Sequence, residues 1–260
     1  MLILLSPSKT LDMSVRDWKL PTSTPALLKD TSELMKKLKA LSVKDIQKLM
    51  DVSEKIAMLN VERNKAFIIP FTENNAVPAL FAFKGDVYEP LEVETYSKAE
   101  LKYANTHVRS LSGLYGLLRP MDLMQAYRLE MGASLKNIRG KDLYAFWGDR
   151  ITDLINKEAS TLKNPVIVNL ASQEYFKAVQ PKKLKYPLIT PEFKEFKAGS
   201  YKIIGIMAKR ARGLMTNYAI RHNISDADAL KAFSAEGYSY NSKLSTQNQW
   251  IFTRKQKKAA

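Results

Sequence analysis

Short, almost wholly apolar runs alternate along this 260-residue chain with stretches of helical period, and that alternation restricts the fold more tightly than any other feature. The first run, Leu2–Leu5, stops at Ser6, Pro7 and Ser8, as a buried strand entering a loop would. Comparable runs at 79–83, 166–170, 186–190, 201–207 and 249–253 predict further strands. Between them, apolar residues at three- and four-residue intervals predict helices over 25–40, 42–67, 97–111, 141–157 and 208–222, with Ser42 and Ser53 as N-caps. Strands that are apolar throughout are normally covered on both faces. The pattern therefore predicts a mixed α/β fold with a central, partly parallel sheet flanked by helices. With 45% hydrophobic residues, no internal repeat and no low-complexity linker, the chain reads as a single domain over 1–260.

Composition removes several functional classes. There is no cysteine, which excludes disulfides, thiolate metal sites and cysteine nucleophiles, and the two histidines, His107 and His222, have no metal-like spacing around them. Neither a metal nor a cofactor is expected. No stretch approaches the roughly 18 to 20 continuous apolar residues of a membrane span, and the N-terminus lacks the features of a signal peptide, so a cytoplasmic protein without a membrane partner is expected. The net charge of +15 is unevenly placed: residues 1–108 are close to neutral, whereas 177–212 hold ten Lys and Arg against two acids, and 254–258 add four more cations. Charge concentrated in this way sets up a local positive field suited to a phosphate backbone.

Three stretches could carry chemistry. In RSLSGLYGLLRPMDLMQAYRLEMG, residues 109–132, Gly113 and Gly116 follow a helical pattern and precede a second apolar one, so a glycine turn could turn backbone N–H groups toward an anion, with Arg119 and Arg128 supplying charge. This resembles a helix-hairpin-helix element, although two residues rather than one separate the glycines. The second stretch is basic: Lys182 and Lys183 precede a strand, and Lys209, Arg210 and Arg212 open the helix predicted over 208–222, where cations oppose the helix dipole unless an anion lies among them. The third is a set of loops following predicted buried strands. They bring Ser6 and Lys9, then Asp86, then Ser172 and Glu174; parallel neighbours would gather them at one sheet edge, where open α/β folds bind ligands. Such a set could hold a nucleoside or perform acid–base work on one.

Seven blocks, among them LLSPSKTL (4–11), AFKGDVY (82–88), VNLASQEYFKAV (168–179), AKRARGLM (208–215) and FSAEGY (233–238), closely resemble the YaaA family of bacterial peroxide stress resistance proteins, from Met1 to about Tyr240. The resemblance implies a cytosolic protein of the hydrogen peroxide response that limits oxidative damage and free intracellular iron. It also implies binding of double-stranded DNA with little sequence preference, through a helix-hairpin-helix-like element and a basic cleft. Carried onto this chain, that element is Ser112, Gly113, Leu114, Tyr115 and Gly116, with Arg119 nearby. Ser8 and Gln173 depart from residues frequent in relatives, and the tail inherits no role. The leading reading is thus a DNA-binding stress protein whose groove is lined by Arg119, Arg128, Lys182, Lys183, Lys209, Arg210 and Arg212. The rival is an enzyme acting on a nucleobase, nucleoside or damaged DNA, with Ser6, Lys9, Asp86, Ser172 and Glu174 around a pocket.

Overall fold

The computed structural model describes residues 1–14 and 17–255. Along the chain, β1 (Leu2–Leu5) is followed by helices α1 (Leu28–Lys39), α2 (Val43–Met50), α3 (Glu54–Ala66), the single turn α4 (Ala79–Ala82) and α5 (Lys98–His107). Then come β2 (Val108–Ser112), β3 (Gly116–Leu118), α6 (Leu143–Trp147), α7 (Arg150–Ala159), β4 (Ile167–Asn169) and α8 (Gln173–Phe176). The last elements are β5 (Leu188–Lys197), β6 (Ser200–Lys202), α9 (Gly205–Arg221), β7 (Ser239–Tyr240) and β8 (Gln249–Lys255). The eight strands form one sheet in the order β7-β8-β5-β4-β1-β2-β3, with β6 folded back on β5. Neighbours from β8 through β5, β4 and β1 to β2 are parallel, and only the outer strands and β6 run antiparallel. The mixed α/β architecture with a largely parallel central sheet is thus as the apolar runs predict. β1 lies between two parallel partners, which is why all four of its side chains are buried.

Several predicted boundaries move for identifiable reasons. The helix predicted over 97–111 stops at His107, because Val108–Ser112 enters the sheet beside β1 with every residue buried. Its polar side chains are satisfied from afar: the Arg109 guanidinium bonds Glu158, and Ser110 Oγ lies 2.8 Å from Tyr88 Oη. The run 79–83 is no sheet strand. It forms α4, after which Phe83–Lys84 pairs with Thr10–Leu11 in a two-stranded ribbon, since an apolar run this short has no period to separate helix from strand. The helix predicted over 42–67 breaks at Asp51 (φ +48), and that over 141–157 breaks at Gly148 (φ +49). Ser42 forms a capping box with Asp45, whereas Ser53 accepts no cap bond. The strand predicted over 186–190 runs on to Lys197, and α9 begins at Gly205 rather than at residue 208.

The register of β5 sets where its outer half lies relative to the site. β4 pairs with β5 only at Leu188 and Ile189, whereas β8 accompanies β5 as far as Phe196. At about 3.3 Å per residue, the outer half of β5, with β8 and β6 on its flanks, projects roughly 20 Å past the carboxyl end of β4. Helix α9 returns from the end of this arm.

Candidate functional site

The carboxyl ends of β1 and β4 are adjacent, and the chain leaves β1 toward β2 on one side while β4 and β5 lie on the other. That is the switch point at which parallel α/β sheets leave a crevice. Here the crevice is a cavity of about 440 Å³, within the range of roughly 300–1,000 Å³ typical of ligand sites. Ser6, Lys9 and Thr10 line it from the loop after β1, and Ser172, Glu174 and Tyr175 from the loop and first turn after β4. Gly85 and Asp86 enter by a different route, because the Thr10↔Lys84 pairing of the small ribbon lays the 84–87 turn beside the β1 loop. Gly85 takes φ +98 there, and a Cβ would sit 3.3 Å from Ser8 Oγ. Lys209 and Arg212, one turn apart on α9, complete the wall opposite. All five residues of the strand-end set, Ser6, Lys9, Asp86, Ser172 and Glu174, therefore meet in one place, although 79–83 is not the third parallel strand. That neighbour is β2.

The cavity is mixed in charge. Lys9 pairs with Glu130 at 2.8 Å, and Glu174 Oε1 accepts the Gly132 N–H at 2.9 Å. Among the described residues Asp86, Lys209 and Arg212 make no ion pair or side-chain hydrogen bond, and Arg212 Nε is buried without an acceptor. Burial holds the Arg212 guanidinium below its ordinary range, and the charge of Glu192 partly offsets this. Ser6 Oγ accepts the Ser172 N–H at 2.8 Å and lies 3.3 Å from Ser172 Oγ, so the two hydroxyls engage each other rather than a base. No activated serine nucleophile results. The Tyr175 and Tyr88 phenols are pushed well above their usual range by burial and stay protonated. Such a site offers carboxylate and hydroxyl acceptors inside and, on one wall, an exposed lysine and an arginine whose buried Nε–H lacks an acceptor. Among the described residues no three His, Asp or Glu side chains lie close enough together to hold a metal ion.

The glycine turn requires correction. Residues 113–115 close a loop between two strands, not two helices, so no helix-hairpin-helix is formed. Ser112, Gly113, Leu114, Tyr115 and Gly116 are all buried. Gly113 is needed for close approach: a Cβ would stand 2.3 Å from the Leu129 carbonyl oxygen, where the extended segment 127–132 crosses the end of β2. Gly116 takes φ +71 against the Trp147 ring, and Trp147 Nε1–H donates to Gly113 O at 3.0 Å.

The remaining cations do not share one trough. Arg119 pairs with Glu158, Arg128 lies 3.6 Å from Glu130, and Arg210 pairs with Glu236. Lys182 and Lys183 occupy the turn Pro181–Lys183, where Lys183 bonds both Asp149 oxygens, and neither lines the cavity. Because α9 starts at Gly205, Lys209 lies beyond its first turn, which weakens the dipole argument for an anion there. Sequence reasoning missed Glu130, and it reached Tyr175 only as the end of the loop 172–175. Glu130 had a legible signal: Tyr127, Leu129 and Met131 are buried while Arg128 and Glu130 between them are half-buried, a period-two pattern that turns both charges to one side.

Gly213 sets the position of the cationic wall. An added Cβ would lie 2.1 Å from the Val87 carbonyl oxygen, so α9 packs directly on the backbone that carries Asp86. Asn217 Nδ2 reinforces this contact by donating to Pro90 O at 2.9 Å. Gly213→Ala is expected to cost about 2 kcal/mol or more, because a backbone carbonyl cannot swing aside as a side-chain tip can. Thermal unfolding checks it; a melting temperature equal to that of the parent would contradict the close packing.

Comparison with known proteins adds one family. The model of a family described as peroxide stress protein YaaA matches residues 1–244. A UPF0246 protein of Saccharophagus degradans is 48% identical over 256 residues, 98% of this chain and all of the relative. A UPF0246 protein of Neisseria gonorrhoeae is 51% identical over 254 residues, 98% of each chain, and one of Teredinibacter turnerae is 49% identical over 259 residues.

Proposed function

This chain belongs to the peroxide stress protein YaaA family, and on that premise we propose that it serves the peroxide response by binding DNA at the strand-end cavity, with one nucleotide entering it. Lys209 and Arg212 hold a backbone phosphate at the wall, and the sugar and base lie against Ser6, Asp86, Ser172 and Glu174. The supporting observation is the Arg212 Nε–H, buried without an acceptor on a side chain that lines the same cavity as the five strand-end residues. A buried Nε–H without an acceptor costs stability unless a ligand supplies one. Asp86 and Glu174 would repel a phosphate, so they suit the donors of a base edge or a sugar hydroxyl.

A salt titration tests the reading. The Lys209→Gln, Arg212→Gln double variant should bind duplex carrying one unpaired nucleotide about tenfold or more weakly at moderate salt, with the slope of log K against log salt smaller by about one to two. The Lys182→Gln, Lys183→Gln variant should bind like the parent. Equal affinities and slopes for the parent and the α9 variant would remove the reading.

A further inference from the structure

Beyond Ile189 the outer half of β5 has no β4 partner, and one face of this arm gathers an aromatic pair between lysines. Residues 194 and 196 share a face by strand alternation, and register places Tyr201 and Lys255 opposite Phe196 on either side. The Phe196 and Tyr201 rings lie 5.2 Å apart at 67°, and Lys255 Nζ stands 5.6 Å above Phe196. Phe196 is nevertheless 39% exposed, at the end of a strand whose opposite face is buried through Glu195. The hairpin behind it is tight: Ala198 (φ +50) and Gly199 (φ +79) form a two-residue turn of the type that matches strand twist, so the rings are held in place before any partner arrives. Glu192, on the same face, pairs with Lys194 at 3.4 Å, which leaves Lys255 as the cation standing over the ring.

We infer that this face of the arm is a stacking platform for an unpaired nucleobase, with Phe196 as the stacking ring and Lys255 as its phosphate contact. The inference rests on the reading of the cavity as a DNA site and extends it to the strand flanking the entering nucleotide. Charge complementarity selects the occupant. An exposed ring beside the Lys255 ammonium matches the π-face and phosphate of a nucleotide, and only an unpaired base offers that face. Paired bases in a duplex are already stacked.

The test uses full-length protein and a duplex with a short single-stranded gap carrying 2-aminopurine, read by fluorescence quenching and by affinity. Phe196→Leu keeps apolar bulk without the ring and is expected to lose most of the quenching and about 5- to 50-fold in affinity for the gapped DNA, with fully paired duplex unaffected. Phe196→Trp should retain both, and Tyr201→Leu, which unseats the Phe196 ring, should fall between. Phe196→Leu binding and quenching like the parent would overturn the platform, as would strong binding of the arm to anionic lipid vesicles competing with DNA. If Phe196→Leu is silent while Lys209→Gln, Arg212→Gln loses affinity, the platform falls and the cavity reading stands; if the α9 variant is silent as well, both fall.

Discussion

Gly113→Val is expected to leave the protein unfolded or aggregated, even though a glycine in a short loop ordinarily tolerates substitution. The new Cβ would stand 2.3 Å from Leu129 O and 3.0 Å from Leu129 C, so relief requires moving the backbone of 127–132 and not a side-chain tip. Overpacking that side chains can absorb typically costs about 1–3 kcal/mol; backbone displacement in a fully buried layer exceeds that, against a total stability of about 5–15 kcal/mol. The displaced segment carries Glu130 and Gly132, so the cavity would open with it. Gly199→Ala is the matched control: it sits at φ +79 with nothing within 4 Å, and should cost only about 1 kcal/mol of backbone strain. Circular dichroism and thermal melting separate the two. A Gly113→Val protein that melts with the parent would mean that the two segments do not cross at this point.

The second large effect concerns Glu158. Its carboxylate lies between two arginines, taking the Arg109 Nε–H inside the protein and the Arg119 Nε–H at 2.8 Å nearer the surface. Arg109 and Glu158 side chains are each only 5% exposed. Glu158→Ala strands a buried guanidinium with two backbone acceptors, the carbonyls of Asn105 and Val108, and without its ion-pair partner, leaving only the weaker pull of Asp122. The expected loss is about 3–5 kcal/mol, or roughly 6–20 °C in melting temperature for a chain of this size. Replacing both partners, as Arg109→Met with Glu158→Leu, should cost clearly less than Glu158→Ala alone, because the buried guanidinium is gone and Arg119, nearer the surface, is left to water. Denaturant titration of the three proteins gives the ranking; a double variant less stable than the single one would contradict the account of this pair.

The sequence exposes the sheet better than it exposes the site. Leu2–Leu5 and 166–170 read as buried strands because both faces are covered, and the loops that follow them lead straight to Ser6 and Ser172. Asp86 is also found, but through the ribbon that Phe83–Lys84 makes with Thr10–Leu11 and not through a sheet strand. β2 is hidden because Arg109 and Ser110 look like surface residues, and their partners Glu158 and Tyr88 are 49 and 22 positions away. The glycine pair shows a different ambiguity: a glycine kept for positive φ and one kept for the absence of Cβ are the same letter, and Gly113 is of the second kind. The basic segment misleads for a geometric reason. Lys182 and Lys183 precede β5, whereas Lys209 and Arg212 follow it, and ten extended residues span about 33 Å. Charges that are neighbours in sequence are thereby carried to different parts of the molecule.

A crystal structure of the full chain with a short duplex bearing one unpaired nucleotide would decide whether the strand-end cavity is where DNA is held. The expected complex has a phosphate oxygen within hydrogen-bonding distance of Arg212 Nε, Lys209 beside it, and the unpaired base lodged among Ser6, Asp86 and Ser172. DNA lying along Lys182 and Lys183, with the cavity open to solvent and Arg212 Nε still without an acceptor, would contradict it.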